Sequence, residues 1–215
     1  MLNETGEATP PRPGQGAEYR YADGGLNSSH AYLIPAVLDA LTPISPKRLF
    51  DLGRGNGSVA AQLAGAGWDV TGVDPSEEGI AQAHSAFPKL KLKQHSAYDD
   101  LAVEFGRFPA VVCMEVIEHV YDPRRLLRTA HGLLEEGGKL IITTPYHGYL
   151  KNLLLAATGR MEHHFDVTTD NGHIKFFSAR TLRTLLSEAG FRQVETRHAG
   201  RIPPLAKSML MIATR

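Results

Sequence analysis

Apolar and polar positions along this chain alternate between two rhythms, one of period two or unbroken and one of helical spacing. Residues 28–42, SSHAYLIPAVLDALT, are spaced as a helix opened by Ser28 or Ser29 and perturbed at Pro35. A short apolar strand then ends at Leu49 and Phe50, with Asp51 closing it, and residues 58–64 return to helical spacing. Residues 68–73 predict a second strand ending in Asp74, and a helix opening at Ser76 carries Glu77 and Glu78 in its first turn and stops at Pro88. Leu90 and Leu92 alternate with lysines, the period of a half-exposed strand, and residues 109–116 read as a buried one. Asp122 caps a further helix with Pro123 at its first position. Its apolar face is Leu126, Leu127, Ala130, Leu133 and Leu134, and Gly137 and Gly138 are expected to end it. A buried strand at 139–145, an amphipathic helix from Ser178 to Gly190, and strands near 192–198 and 207–214 complete the series.

Strands and helices that alternate without internal repeats predict an α/β fold, a parallel sheet covered on both faces. At 215 residues the chain suits one domain, expected over 18–215 behind a disordered Pro- and Gly-rich lead-in, 1–17. Residues 146–175 break the alternation. They hold an apolar stretch at helical spacing (149–157) and a histidine-rich tract, which reads as a lid or substrate-recognition insert. Residues 149–157 fit a core helix equally well. The chain carries 23 basic and 23 acidic residues, so no electrostatic footprint marks a nucleic-acid binder. No run approaches ~18 apolar residues, and the first residues lack the apolar core of a signal peptide. Cys113 is the single cysteine and lies in an apolar run, which fits a buried structural thiol and a reducing cytoplasm.

Chemistry concentrates first in residues 49–75, LFDLGRGNGSVAAQLAGAGWDVTGVDP. Gly53, Gly55 and Gly57 occupy every second position of the turn between strand and helix, where backbone must bend sharply or touch a ligand. Asp51 and Asp74, 23 residues apart, end adjacent parallel strands. That describes a nucleotide crevice. A dinucleotide site wants G-x-G-x-x-G and a helix N-terminus facing a pyrophosphate. Here the spacing is G-x-G-x-G, and Asp51 would repel a pyrophosphate. It suits a ligand with an ammonium and a sulfonium, S-adenosylmethionine, whose ribose hydroxyls Asp74 is placed to accept. D-L-G-R-G-N-G followed by G-V-D-P-S resembles the class I S-adenosylmethionine-dependent methyltransferases. The resemblance spans roughly 30–215 and implies a single Rossmann-like, doubly wound, seven-stranded sheet with the last strand antiparallel beside the fifth. It also implies cofactor contacts from Asp51, Gly53, Gly55, Gly57, Asp74 and Pro75, with adenine near Ser96 and Ala97 and Met114 on its other side.

The second informative segment is CMEVIEHVYDP, residues 113–123, which resembles the ubiquinone-biosynthesis O-methyltransferases and the small-RNA 2′-hydroxyl methyltransferases. Glu115, Glu118 and His119 fall at i, i+3 and i+4, so one helical turn would gather them on one side. Two carboxylates and an imidazole suit Mg²⁺, Mn²⁺ or Zn²⁺. By resemblance to the small-RNA family a fourth ligand is His173, with His163 and His164 less well placed. Three roles stay open for this cluster: a divalent-metal site, a metal-free catalytic site with His119 as base, or a structural one. Arg54 departs from the family pattern, which prefers a small residue there. It pairs with the cofactor's carboxylate, crowds the loop, or is a substitution. Tyr19 and Tyr21 either cover the cofactor's methionine end or pack.

The function these residues imply is methyl transfer from S-adenosylmethionine to an oxygen of a small-molecule acceptor. A nitrogen acceptor and an RNA 2′-hydroxyl are the alternatives, RNA being disfavoured by the zero net charge. A non-catalytic S-adenosylmethionine-binding protein and a nicotinamide oxidoreductase are rivals from other classes, the second opposed by Asp51. The acceptor of the ubiquinone relatives brings peripheral membrane contact into view for 149–157.

Overall fold

The computed structural model describes residues 28–53, 55–161, 165 and 172–215. The expected lead-in, Tyr19, Tyr21, Arg54, His163 and His164 lie outside the described residues. Seven helices and seven strands are described: α1 (His30–Leu41), β1 (Arg48–Leu52), α2 (Ser58–Gly65), β2 (Asp69–Asp74), α3 (Glu77–Ala86), β3 (Lys91–Gln94), α4 (Leu101–Phe105), β4 (Phe108–Met114), α5 (Pro123–Gly132), β5 (Leu134–Pro145), α6 (Tyr149–Ala157), α7 (Ala179–Glu188), β6 (Arg192–Ala199) and β7 (Ser208–Thr214). The strands form one sheet in the order β3-β2-β1-β4-β5-β7-β6. Every pairing is parallel except the two made by β7, which inserts antiparallel between β5 and β6. This is the Rossmann-like, seven-stranded arrangement expected.

Alternation within the strands divides the core in two. Leu49, Ala110, Val112, Met114, Ile141 and Leu210 face α1, α2 and α3, whereas Phe50, Val111, Cys113, Leu140, Ile142 and Met211 face α4, α5 and α7. Successive residues of a strand point to opposite faces, so a sheet covered on both sides must be apolar at every position. That is the pattern of β4, buried throughout. Helix starts follow their caps: Ser76 Oγ accepts from Gly79 N at 3.0 Å and Asp122 Oδ1 from Arg125 N at 3.0 Å. Ser178 and Thr181 form a reciprocal capping box on α7.

Four details differ from the expectations. Helix α5 ends at Gly132, before Leu134 and Gly137, because the sheet captures the chain there. Phe108 N donates to the Leu133 carbonyl at 2.8 Å, and Leu134 pairs with Phe108 as the first residue of β5. Strand β4 stops at Met114, short of Val116. Five-residue α4 was not anticipated, being too short for helical periodicity to register. Helix α6 buries none of its residues, so it is not a core helix. Leu150, Leu153 and Leu154 are each more than 40 % exposed.

Candidate active site

The strand order reverses between β1 and β4, since crossovers leave β1 in one direction and enter β4 on its other side. Crevices open at such points, beyond the carboxyl ends of the strands. Asp51 sits there, paired in register with Gly72 on β2 and Val112 on β4. Asp74 ends β2, and its carboxylate accepts from Gly55 N and from Ser76 N, both at 2.8 Å. The glycine turn is thereby tied to the acid. A Cβ on Gly55 would lie 2.7 Å from Asp74 Oδ1, so only glycine allows this approach. Gly57 takes φ +73° immediately before α2. Gly53 lies beside Val116, and Asn56 Oδ1 accepts from Ser58 N and Oγ at the start of α2.

Burial and the like charge of Asp74 push the Asp51 carboxyl up to about 7. A buried acid without a compensating cation favours its neutral form. Around the crevice, Pro75 is exposed, Met114 is buried, and Ser96 and Ala97 are half-buried in the turn after β3. Asp99 accepts from Ser96 N at 2.9 Å, closing that turn.

The acid–histidine segment is built otherwise than a single helical turn. Glu115 follows β4 with φ +54°, a left-handed conformation that costs a non-glycine residue energy. Thr143 of β5 compensates: its carbonyl and Oγ1 accept from Glu115 N, and its hydroxyl donates to Glu115 Oε1 at 2.9 Å. Ile117–His119 forms a 3-10 turn, with Glu118 1 % exposed. Donor atoms of Glu118, His119 and His173 lie within 4.8 Å of one another. Glu115 does not join that group. Distance in sequence is bridged by backbone: Ile174 N and Lys175 N both donate to the Glu118 carbonyl, at 2.9 and 3.0 Å. His119 Nδ1 lies 3.2 Å from the Gly172 carbonyl, which leaves Nε2 directed at Glu118, 3.9 Å from Oε1. A backbone acceptor on one ring nitrogen fixes the tautomer and presents the other as base or ligand. One carboxylate and two imidazoles are a donor set suited to Zn²⁺ or Mn²⁺.

The methyltransferase domain family matches residues 27–196. The chain belongs to the methyltransferase domain family. This methyltransferase is 41% identical over 122 residues to a ubiquinone biosynthesis O-methyltransferase of Caulobacter sp. (strain K31), covering 55% of the chain and 48% of the relative. It is 30% identical over 164 residues to one of Thiobacillus denitrificans, covering 74% and 70%. The chain therefore spans about half the length of the first of these relatives and about two thirds of the second. The methyltransferase domain of bacterial CtHen1-CN superposes with TM-score 0.66 at 20% identity, covering 88% of the chain and all of that domain. A SAM-dependent methyltransferase from Archaeoglobus fulgidus gives 0.64 at 19% identity, covering 85% and 93%. These structural likenesses concern the fold.

Beside the acid–histidine group the methyltransferase opens a cleft of about 770 Å³ between the start of α1, helix α6 and the turn before β7. Glu115 and His173 line it, together with Tyr32, Pro145, Leu154 and Leu205. Tyr32 Oη bonds Ser208 Oγ at 3.2 Å, and burial together with Glu115 raises its phenol above the ordinary value. Thr143 and Tyr32 escaped sequence reasoning, since each looks like ordinary filling of a strand or helix. Cys113 is buried, and burial pushes its thiol well up, as a structural thiol requires. No described helix is long and apolar enough to cross a membrane.

Proposed function

We propose that this methyltransferase moves the methyl group of S-adenosylmethionine to a hydroxyl oxygen of a small-molecule acceptor lying in the cleft. The observation that carries the reading is the convergence of Glu118, His119 and His173 at the carboxyl edge of β4, beside the cleft and next to the crevice of Asp51 and Asp74. Asp51 faces the cofactor's ammonium and Asp74 its ribose, while Gly53, Gly55 and Gly57 let the backbone approach. Ser96, Ala97 and Met114 flank the adenine. The relatives' names carry O-methylation, and that supports oxygen over nitrogen.

The sulfonium makes the methyl carbon electrophilic, so alignment and exclusion of water are the protein's main tasks. As the O–CH₃ bond forms, the S–CH₃ bond breaks and its electron pair returns to sulfur. The hydroxyl must give up its proton, and a phenol of pKa near ~10 does so slowly at neutral pH without help. Glu118, His119 and His173 would hold a divalent ion, which supplies a lowered acceptor pKa when bound. Without it, the Gly172 carbonyl orients His119 so that Nε2 receives the proton; with it, the same carbonyl would present Nε2 as a ligand and the proton would pass to solvent. Glu115, held by Thr143, places a carboxylate in the cleft wall that His173 of that cluster also lines. Exposed Leu150, Leu153 and Leu154 on α6 supply an apolar lid over the acceptor, or a contact to the membrane surface from which it comes. A single buried thiol fits a cytoplasmic setting.

The test is methyl transfer to catechol from labelled cofactor, before and after chelation. Product that disappears on chelation and returns with Mg²⁺, Mn²⁺ or Zn²⁺ supports metal-assisted O-methylation. Undiminished product makes His119 the base acting alone, and absence of product under all conditions removes the hydroxyl acceptor.

A further inference from the structure

The chain as a whole is neutral, but its cleft is not. Among the described residues, Lys151, Arg160, Arg201 and Lys207 line it, against one lining acid, Glu115. They come from two separate stretches, the α6 region and the connection between β6 and β7, which the fold brings together by packing α6 on the 3-10 turn Pro203–Leu205. None of the four forms an ion pair among the described residues, although Arg48, Lys91, Lys93, Arg124 and Arg197 each pair with a carboxylate elsewhere. Lys151 is the inner member. Its Nζ donates to the Tyr146 carbonyl at 2.7 Å, which uses one of three N–H bonds. Burial and then the charge of Arg201 pull its amine below the ordinary value, and Arg201, itself exposed, lines the same cleft. Lys207 lies over the Tyr32 ring at 5.5 Å, on the same wall as the apolar Leu205 and Ala206.

Like charges gathered around a concave wall focus a positive potential into it. Solvated surface cations explain Arg160 and Lys207 taken singly. They do not explain a half-buried lysine sharing a cleft with an arginine, with no carboxylate among the described residues paired to either. An arriving anion removes both the repulsion and the desolvation cost.

We propose that the cleft selects an acceptor bearing an anionic group, a carboxylate or a phosphate ester, which Lys151 and Arg201 bind while its hydroxyl faces Glu118, His119 and His173. This rests on the reading of the cleft as the acceptor's seat. Arg160 and Lys207 stand at the rim and draw the anion in. Glu115 lines the cleft together with His173, so a negative group is repelled from that acid and drawn to the cations.

Calorimetry with S-adenosylhomocysteine present tests this by comparing neutral and anionic probes of one shape: catechol against 3,4-dihydroxybenzoate, and phenol against phenyl phosphate. The proposal predicts at least about tenfold tighter binding of one anionic member, a preference that shrinks as salt rises. Lys151→Gln combined with Arg201→Gln should abolish the preference, with S-adenosylhomocysteine affinity retained as the sign of a folded crevice. Lys151→Arg should restore most of it. Equal affinities in both pairs, no binding of any probe, or a preference surviving in the double variant overturns the proposal. Inorganic phosphate separates the sources: weaker binding than the anionic aromatic supports an anion attached to the acceptor, and equal binding overturns it. Labelled methyl transfer is read separately. Anion preference without product leaves the anion site standing and removes the hydroxyl acceptor, while equal methylation of catechol and 3,4-dihydroxybenzoate does the reverse.

Discussion

Asp51 offers a prediction whose size follows from its surroundings. Its carboxyl is buried beside Asp74 and raised from 3.8 to about 7, which amounts to about 4 kcal/mol in favour of the neutral form at about 1.4 kcal/mol per unit. A raised carboxyl means that the folded chain holds the proton more tightly than the unfolded one. Stability from this group is therefore full below about pH 4, is lost as pH rises toward 7, and changes no further above it. The cofactor's ammonium needs the ionised form, so binding must expel the proton. Below pH 7 the ionised fraction falls about tenfold per unit, and apparent affinity falls with it. Calorimetry with S-adenosylhomocysteine from pH 5.5 to 7.5 should show affinity rising about tenfold per unit up to 7 and then levelling. At pH 6, buffers of different ionisation enthalpy should report close to one proton released per ligand. Asp51→Asn should bind weakly and without this slope, and should lose the stability decline between pH 4 and 7. Constant wild-type affinity with no proton release would refute the assignment of Asp51 to the ammonium.

Asp74→Ala should weaken S-adenosylhomocysteine by about 2–4 kcal/mol, roughly 30-fold or more, because ribose acceptors go and the Gly55 and Ser76 amides lose theirs; isothermal titration checks it, and unchanged affinity would count against the ribose role. Thr143→Val removes the hydroxyl that donates to Glu115 and leaves a left-handed backbone less supported, at a cost of about 1–3 kcal/mol visible as a lower Tm. A Tm within a degree of wild type would contradict that account. Hydrogen exchange at Tyr149–Ala157 should be fast in the free protein, where α6 buries nothing, and slower with S-adenosylhomocysteine and 3,4-dihydroxybenzoate bound. Slow exchange in the free protein would argue against a lid.

Much of the sheet could be read from the chain because each strand carries its own signal. Residues 109–114 are apolar throughout and lie at the centre of a sheet covered on both faces. Leu134 shows where such reading ends: it continues the apolar face of α5, yet Phe108, 26 positions earlier, draws it into the sheet. Glu115 makes the same point for the site. Its i, i+3, i+4 relation to Glu118 and His119 suggests a common helical face, whereas contact with Thr143 turns the backbone to φ +54° and sets its carboxylate apart. The cationic wall was invisible because Lys151 and Arg201 come to line one cleft only after α6 packs on the turn before β7. Periodicity reports an element's own faces. It carries no information about which distant backbone will compete for them.

The account turns on His173, which is far in sequence from Glu118 and His119 but within ligand reach of them. His173→Ala is the most direct test, since the side chain is exposed and its loss leaves the core intact. Two readings on one sample are needed: S-adenosylhomocysteine affinity by calorimetry, and labelled methyl transfer to 3,4-dihydroxybenzoate and catechol. The account predicts affinity within about twofold of wild type and transfer reduced by about 100-fold or more, the usual scale for loss of acid–base or metal assistance. Transfer at the wild-type rate would show that the Glu118–His119–His173 group is not where the acceptor is activated.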